Sequence, residues 1–250
     1  MKLIRFLYNK KEYWGALEGR LIRALKEEPF KSVKLLSKKI PLNHIKFLPP
    51  AKATKIVLVG LNYKDHAHEL NMKLPKEPLI FLKPTTALIG HNEPIVYPSK
   101  VKQLDYEAEL AIVIKKEGKN IKPKEALRYV LGFTCLNDVT ARDLQRKDIQ
   151  WTRAKSFDSF CPLGPYLETQ INPRDLNIRS YLNGELKQNS RTSEFIFSLE
   201  YLVSFISGIM TLFPGDVIST GTPFGVGPMK KGDKIEVEIE KIARLTNYIL

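Results

Sequence analysis

The chain is 250 residues long, 43% apolar and 27% charged, with a formal net charge of +13. That size and balance describe a globular protein with one large core and room for a small appendage, and exclude a disordered or fibrous chain. The longest apolar stretch, Phe195 to Phe213, is broken by Ser198, Glu200, Ser204 and Ser207. No membrane span of roughly 18 residues is therefore expected, and MKLIRFLYNKK lacks the apolar region of a signal peptide, which makes the cytoplasm the expected compartment.

The positive charge is concentrated at the start. Residues 1–55 hold 14 Lys/Arg against 4 Asp/Glu, a net +10 of the total +13. A basic nucleic-acid-binding arm is one reading, but the lysines alternate with apolar residues in helix-like patterns and are not interleaved with stacking aromatics. A solvated lysine-rich face is expected, with neither nucleic acid nor membrane as partner. KLIRFLY and KEYWGAL read as a strand pair, followed by short helices over LEGRLIRALKEE and VKLLSKKI to about Ile40. Pro41, Pro49 and Pro50 mark a linker, so residues 1–54 are expected to form a small basic subdomain and residues 55–250 the main domain.

Beyond the linker, KIVLVGL is a strand and NYKDHAHEL a short helix or mobile loop. LIFLKPTTALIG is extended and DYEAELAIVI a strand, followed by a helix over KPKEALRYV and the strand GFTCLND. TARDLQRKDIQW reads as a helix. The strands IRSYLNGELKQ, with an Asn183-Gly184 turn, DVISTG and DKIEVEIE follow, and Ser198 to Thr211 reads as a helix between them. Strands dominate and βαβ alternation is absent, which points to an α+β protein built on a folded mixed sheet. Cys135 and Cys161 lack CxxC spacing, which argues against a disulfide scaffold or a zinc site.

The chemistry is carried by charged residues inside apolar segments. On the strand DYEAELAIVI a period of two places Glu107 and Glu109 on one face, about 7 Å apart. Two such carboxylates repel and are costly to desolvate unless a cation lies between them, and a hard divalent ion is the natural occupant. Asp138 ends an apolar strand and is read as opening a helix. Arg142 and Gln145 then follow at i+4 and i+7 on the same helical face, a metal ligand beside an anion-binding pair. An exposed i,i+4 ion pair would account for the same spacing. Lys155, between aromatics and prolines, needs a carboxylate or a substrate oxyanion if it is buried. His66 and Glu69, at i and i+3, suit an oriented general base, whereas His68 points elsewhere and His44 and His91 have no companion groups. Gly221 and Thr222 lie in a Gly-rich loop after a strand, where backbone N–H groups approach anions.

In order along the chain, GLNYKDHAHE, FLKPTTALIG, DYEAELAIVI, NDVTARDLQ, KSFDSFCPLGP, NGELKQ and TGTPFGVG resemble the fumarylacetoacetate hydrolase family. The likeness runs from about Lys55 to Glu240 and is nearest its short-chain branch of acylpyruvate hydrolases, 2-hydroxyhepta-2,4-diene-1,7-dioate isomerases and oxaloacetate decarboxylases or tautomerases. It implies a mixed β-sandwich or roll, a homodimer, and Mg²⁺ or Mn²⁺ on Glu107, Glu109 and Asp138, with Ca²⁺ able to occupy the same oxygens. Arg142, Gln145 and Lys155 would hold or polarise a small keto-acid substrate, and Thr222, Gly221 and Lys83 would line its pocket. His66 and Glu69 would form the acid–base dyad on a segment that closes over substrate, with Lys155 the third catalytic group. The implied activity is C–C hydrolysis of an acylpyruvate-type acid or isomerisation of 2-hydroxyhepta-2,4-diene-1,7-dioate. Oxaloacetate decarboxylation or tautomerisation and keto-sugar-acid dehydration are the alternatives within the family. Outside it, a metal-free lyase using Lys155 as a Schiff base would draw on the same lysine.

Overall fold

The computed structural model describes residues 1–250. Three sheets organise the chain, and the largest has twelve strands. At its centre Ala108–Ile114 lies between Val130–Asn137 and Val217–Ser219, and all seven of its residues are buried. The reason is packing on both faces. Leu110, Ile112 and Ile114 enter one core with Phe133, Ile178 and Val237, while Ala111 and Val113 enter a second with Leu136 and Leu163. A strand covered on both faces reads as a continuous apolar run. Glu109 is an exception inside that run.

A five-stranded sheet, Glu185–Arg191, Asn177–Leu182, Lys234–Ile239, Ala243–Ile249 and Pro94–Ile95, packs over the first core. The Asn183-Gly184 turn joins its first two strands, with both residues at positive φ (54° and 86°). The third sheet is small: Leu104–Tyr106 lies between Thr140–Ala141 and Gly227–Met229. This mixed, strand-rich architecture with few helices is the expected α+β fold. Of the helices, Leu199–Ile209 forms as expected, capped by the Ser198 hydroxyl accepting from the Tyr201 N–H. KPKEALRYV forms a 3-10 helix over Pro123–Tyr129.

The amino-terminal region differs from expectation. Leu21–Leu25 and Leu35–Pro41 are strands, not helices. Gly19, at φ 62°, turns the chain so that Glu18 pairs with Leu21, and the burial of Ile22 and Ala24 then follows a period of two. The hairpin overrides the helical spacing of LEGRLIRAL. Leu35–Pro41 is an edge strand with Lys38 and Lys39 exposed, a placement that discourages edge-to-edge pairing. These strands continue the large sheet, since Lys2–Tyr8 pairs with Cys161–Glu168. Lys46–Leu48, within the proline-marked stretch, also pairs with Lys2–Tyr8.

Candidate active site

Glu107 falls at the break between Leu104–Tyr106 and Ala108–Ile114, where the chain passes from the small sheet into the large one. Its N–H donates to Asn137 Oδ1 at 3.0 Å, and its carbonyl accepts from the Asp138 N–H at 2.9 Å. The two strand ends are thereby fixed face to face. Glu107, Glu109 and Asp138 are all buried, and one carboxylate oxygen from each lies within 4.8 Å of the others.

Asp138 does not open a helix. The Val139 N–H turns back onto the Asn137 carbonyl at 3.0 Å, and Thr140, β-branched, enters a strand. Thr140–Ala141 pairs with Leu104–Tyr106, and the helix begins at Arg142. The shared helical face therefore holds only Arg142 and Gln145, joined through Arg142 Nη1 and Gln145 Oε1. The expected long helix over TARDLQRKDIQW is two short ones, Arg142–Lys147 and Thr152–Lys155.

Three cations surround the carboxylates. Lys155 Nζ lies 3.0 Å from Glu107 Oε2 and 2.5 Å from Asp138 Oδ2. Arg142 reaches Glu107 through Nη2 and Asp105 through Nε, the latter at 2.8 Å. Lys83 is fully buried with its ammonium against Asp138 and donates to the carbonyls of Val139 and Phe160. Burial alone would raise the Glu107 carboxyl, but Lys155 and Arg142 bring it down to about 2. Burial likewise works against the Lys155 ammonium, yet Asp138 and Glu107 raise its pKa. A lysine held in its charged form is a poor Schiff-base nucleophile, which counts against the metal-free lyase.

Glu109 has no such partner. Burial, then Asp138 and Glu107, push its carboxyl well above the usual range, and its hydrogen bonds, from the Ser219 hydroxyl and the Gly221 N–H, both fall on Oε2. A divalent cation would relieve that repulsion, and an all-carboxylate oxygen set suits a hard ion. The residues fit the group: Glu107, Glu109 and Asp138 would hold it.

A cavity of about 360 Å³ opens over this floor. Glu107, Asp138, Arg142, Gln145, Lys155, His66 and Thr222 line it, together with Arg146 and an apolar wall that includes Phe81, Leu79 and Trp151. His66 Nδ1 lies 2.7 Å from Glu69 Oε2 on the helix Lys64–Glu69. The spacing of DHAHE thus brings the dyad together at the pocket, while His68 is exposed.

Two positions sit differently from their expected pocket-lining roles. Lys83 lies behind the floor against Asp138, so it steadies a carboxylate where substrate contact was expected. Gly221 directs its N–H to Glu109 at 3.0 Å, so the anion it serves is part of the protein. At φ 89°, a Cβ there would lie 2.9 Å from the Asn62 Cβ, and glycine is required. Asp105 was missed as Arg142's partner, although the period of two already placed it on the side of Glu107 and Glu109. The apolar wall left no sequence signal, because its residues come from separate segments.

Fold and floor together are those of an enzyme. Residues 55–250 match the family model described as fumarylacetoacetate (FAA) hydrolase, C-terminal, and residues 1–50 match that described as Rv2993c-like, N-terminal. The chain belongs to the fumarylacetoacetate hydrolase family. It is 42% identical over 223 residues to a mitochondrial oxaloacetate tautomerase, Fahd2a, of Rattus norvegicus, covering 84% of this chain and 71% of that protein. The structure of 2-hydroxyhepta-2,4-diene-1,7-dioate isomerase from Mycobacterium marinum superposes with a TM-score of 0.94 at 41% identity, covering 100% of this chain and 98% of that one. Maleylpyruvate hydrolase from Sphingobium sp. SYK-6, solved with manganese(II) and pyruvate, gives a TM-score of 0.85 at 27% identity, with 100% and 99% covered.

Proposed function

We propose that this chain is a Mg²⁺- or Mn²⁺-dependent enzyme acting on 2-oxo or 2,4-dioxo acids through their enolates. The observation that carries this reading is the convergence of three buried carboxylates and three buried or half-buried cations beneath one cavity, with a histidine–glutamate pair lining it. When bound, the cation would supply Lewis-acid polarisation of the substrate's 2-oxo and carboxylate oxygens. Arg142 and Lys155 add positive charge where the enolate develops, at fixed positions that need no rearrangement. Gln145, joined to Arg142, orients that guanidinium toward the cavity. His66 moves the proton, with Glu69 fixing the ring through its contact to Nδ1. Phe81, Leu79 and Trp151 offer an apolar wall to the rest of the substrate.

Isomerisation and tautomerisation need only that proton shuttle, in keeping with the isomerase and tautomerase among the relatives. Hydrolysis of an acylpyruvate-type acid is the second reading, favoured by the same dyad, which could deprotonate a water for attack on the distal carbonyl. A panel of oxaloacetate, acylpyruvates and unsaturated dioates, assayed with Mg²⁺ or Mn²⁺ and followed by mass spectrometry, separates the two. A mass gain of one water with C–C cleavage marks hydrolysis, and products of unchanged mass mark isomerisation. Turnover that survives exhaustive chelation would contradict the metal-dependent reading.

A further inference from the structure

The motif NGELKQ contributes a residue that touches neither the cavity nor a carboxylate. Gln188 is fully buried, on the strand Glu185–Arg191 of the five-stranded sheet. Its Oε1 accepts from the Ala108 N–H at 3.0 Å. Its Nε2 donates to Thr222 Oγ1 and to the Pro223 carbonyl, both at 2.9 Å. The Thr222 hydroxyl in turn donates to the Ala108 carbonyl at 2.9 Å. A main-chain donor on one side and a main-chain carbonyl on the other leave only one orientation of this amide.

Ala108 is the residue between Glu107 and Glu109. Its N–H and its C=O are thus both held, by Gln188 directly and by Thr222 through Gln188, at the point where the chain changes sheets. The local backbone is shaped for this reach. Ser180 pairs with Gln188 but Tyr181 pairs with Leu186, so Lys187 is an extra residue in its strand. Such bulges re-aim the adjacent side chain. The Gly-rich loop packs directly on the bulge: a Cβ on Gly225 would lie 2.6 Å from the Lys187 carbonyl oxygen. One buried amide therefore ties the five-stranded sheet, the Gly-rich loop and the Glu107–Glu109 segment together.

We infer that Gln188 is a positioning residue that sets the separation and direction of the Glu107 and Glu109 carboxylates for the divalent cation. The inference rests on the metal-dependent reading above. A purely structural clamp would stabilise the fold without changing cation affinity, and the two roles are separable by experiment. Gln188→Met keeps the volume and removes all three hydrogen bonds. The Mn²⁺ dissociation constant of the full chain is measured by electron paramagnetic resonance of free Mn²⁺, alongside the Tm of the chelated protein. Polar groups that orient metal ligands typically carry roughly 10–100-fold in affinity, so a rise in Kd of roughly tenfold or more is expected, whatever the change in Tm. Should Gln188→Met fail to fold, Gln188→Asn retains the amide but shortens its reach, and its Kd is expected to rise several-fold. A folded variant that binds Mn²⁺ within twofold of wild type, even with a lowered Tm, overturns the positioning role alone. Absence of Mn²⁺ binding by the wild-type chain overturns both this inference and the metal-dependent reading.

Discussion

The floor of the cavity and the segment beside it are built on opposite principles. Glu107, Asp138, Lys83 and Lys155 are buried, and each makes at least two hydrogen bonds or ion pairs. The helix Lys64–Glu69 has six residues and two side-chain links to the rest of the site: Asp65 accepts from the Ser190 hydroxyl, and Glu69 Oε1 accepts from the Gly225 N–H at 3.0 Å. Cross-linked charge in a dry interior is preorganised for catalysis. The helix's side chains are tied to their surroundings more sparsely than those of the floor, a feature shared by segments that move at active sites. On the proposed reading, the fixed charges lie in the densely cross-linked floor and the histidine of the acid–base pair lies on the sparsely linked helix.

Substitutions in the two regions should therefore fail in different ways. The largest effect is expected at Asp138, where alanine removes the only carboxylate partner of the buried Lys83 ammonium and leaves Lys155 with Glu107 alone. Breaking such a buried pair typically costs about 3–5 kcal/mol, read by denaturant unfolding of the chelated protein, and cation binding should be lost as well. A stability within 1 kcal/mol of wild type would show that the floor is less dependent on its charges than the geometry implies.

Glu109→Gln sharpens the contrast within the floor itself. Glu109 is a buried carboxyl without a cation partner, and glutamine preserves the acceptor for Ser219 and Gly221. The chelated variant is expected to be as stable as wild type or more so, yet to lose Mn²⁺ binding. Because the wild-type carboxyl holds its proton to higher pH than an ordinary glutamate, Mn²⁺ uptake should release a proton and tighten as pH rises. Calorimetry in buffers of different ionisation enthalpy would detect that proton, and its absence would count against Glu109 as the site taken by the cation.

On the helix side, His66→Ala should lower kcat by roughly 10²–10⁴ while leaving Mn²⁺ affinity and Tm near wild type. A parallel loss of cation binding would mean that the two regions are not separate. The smallest effect belongs to the amino-terminal edge. Lys39→Ser, on an exposed strand remote from the cavity, should change stability by less than about 0.5 kcal/mol and leave turnover unchanged.

The same division explains what could be read from the sequence. Glu107, Glu109, Asp138, Arg142, Gln145, Lys155 and the His66–Glu69 pair were legible because charged groups inside apolar strands, or at short helical spacings, leave a local pattern. The strands Ile56–Val59, Ala108–Ile114, Val130–Asn137, Asn177–Leu182, Val217–Ser219 and Lys234–Ile239 were legible from alternating or continuous apolar patterns, whereas Cys161–Glu168 and Ala243–Ile249 were not read as strands. Asp138 was placed on a helix because spacing alone does not reveal that Thr140 and Ala141 pair with another strand. Leu21–Leu25 was read as helical until the turn at Gly19 imposed a hairpin. Lys83 was expected in the wall of the cavity from the family resemblance alone, and nothing local reveals that its partner is Asp138, 55 residues away in sequence. Gln188 closes the NGELKQ motif, but its role was not legible, since it lies in a bulge and in three contacts made to other segments.

The central claim is that the carboxylate floor, loaded with a divalent cation, promotes enolisation of a 2-oxo acid. It is tested most directly by following deuterium uptake at C3 of oxaloacetate or pyruvate in D₂O by NMR, with Mg²⁺ present or chelated. Exchange that needs both Mg²⁺ and an intact Glu109, and is slowed in His66→Ala, is the expected result. Exchange no faster than in buffer while the enzyme turns over its substrate, or exchange indifferent to Mg²⁺, would contradict the account.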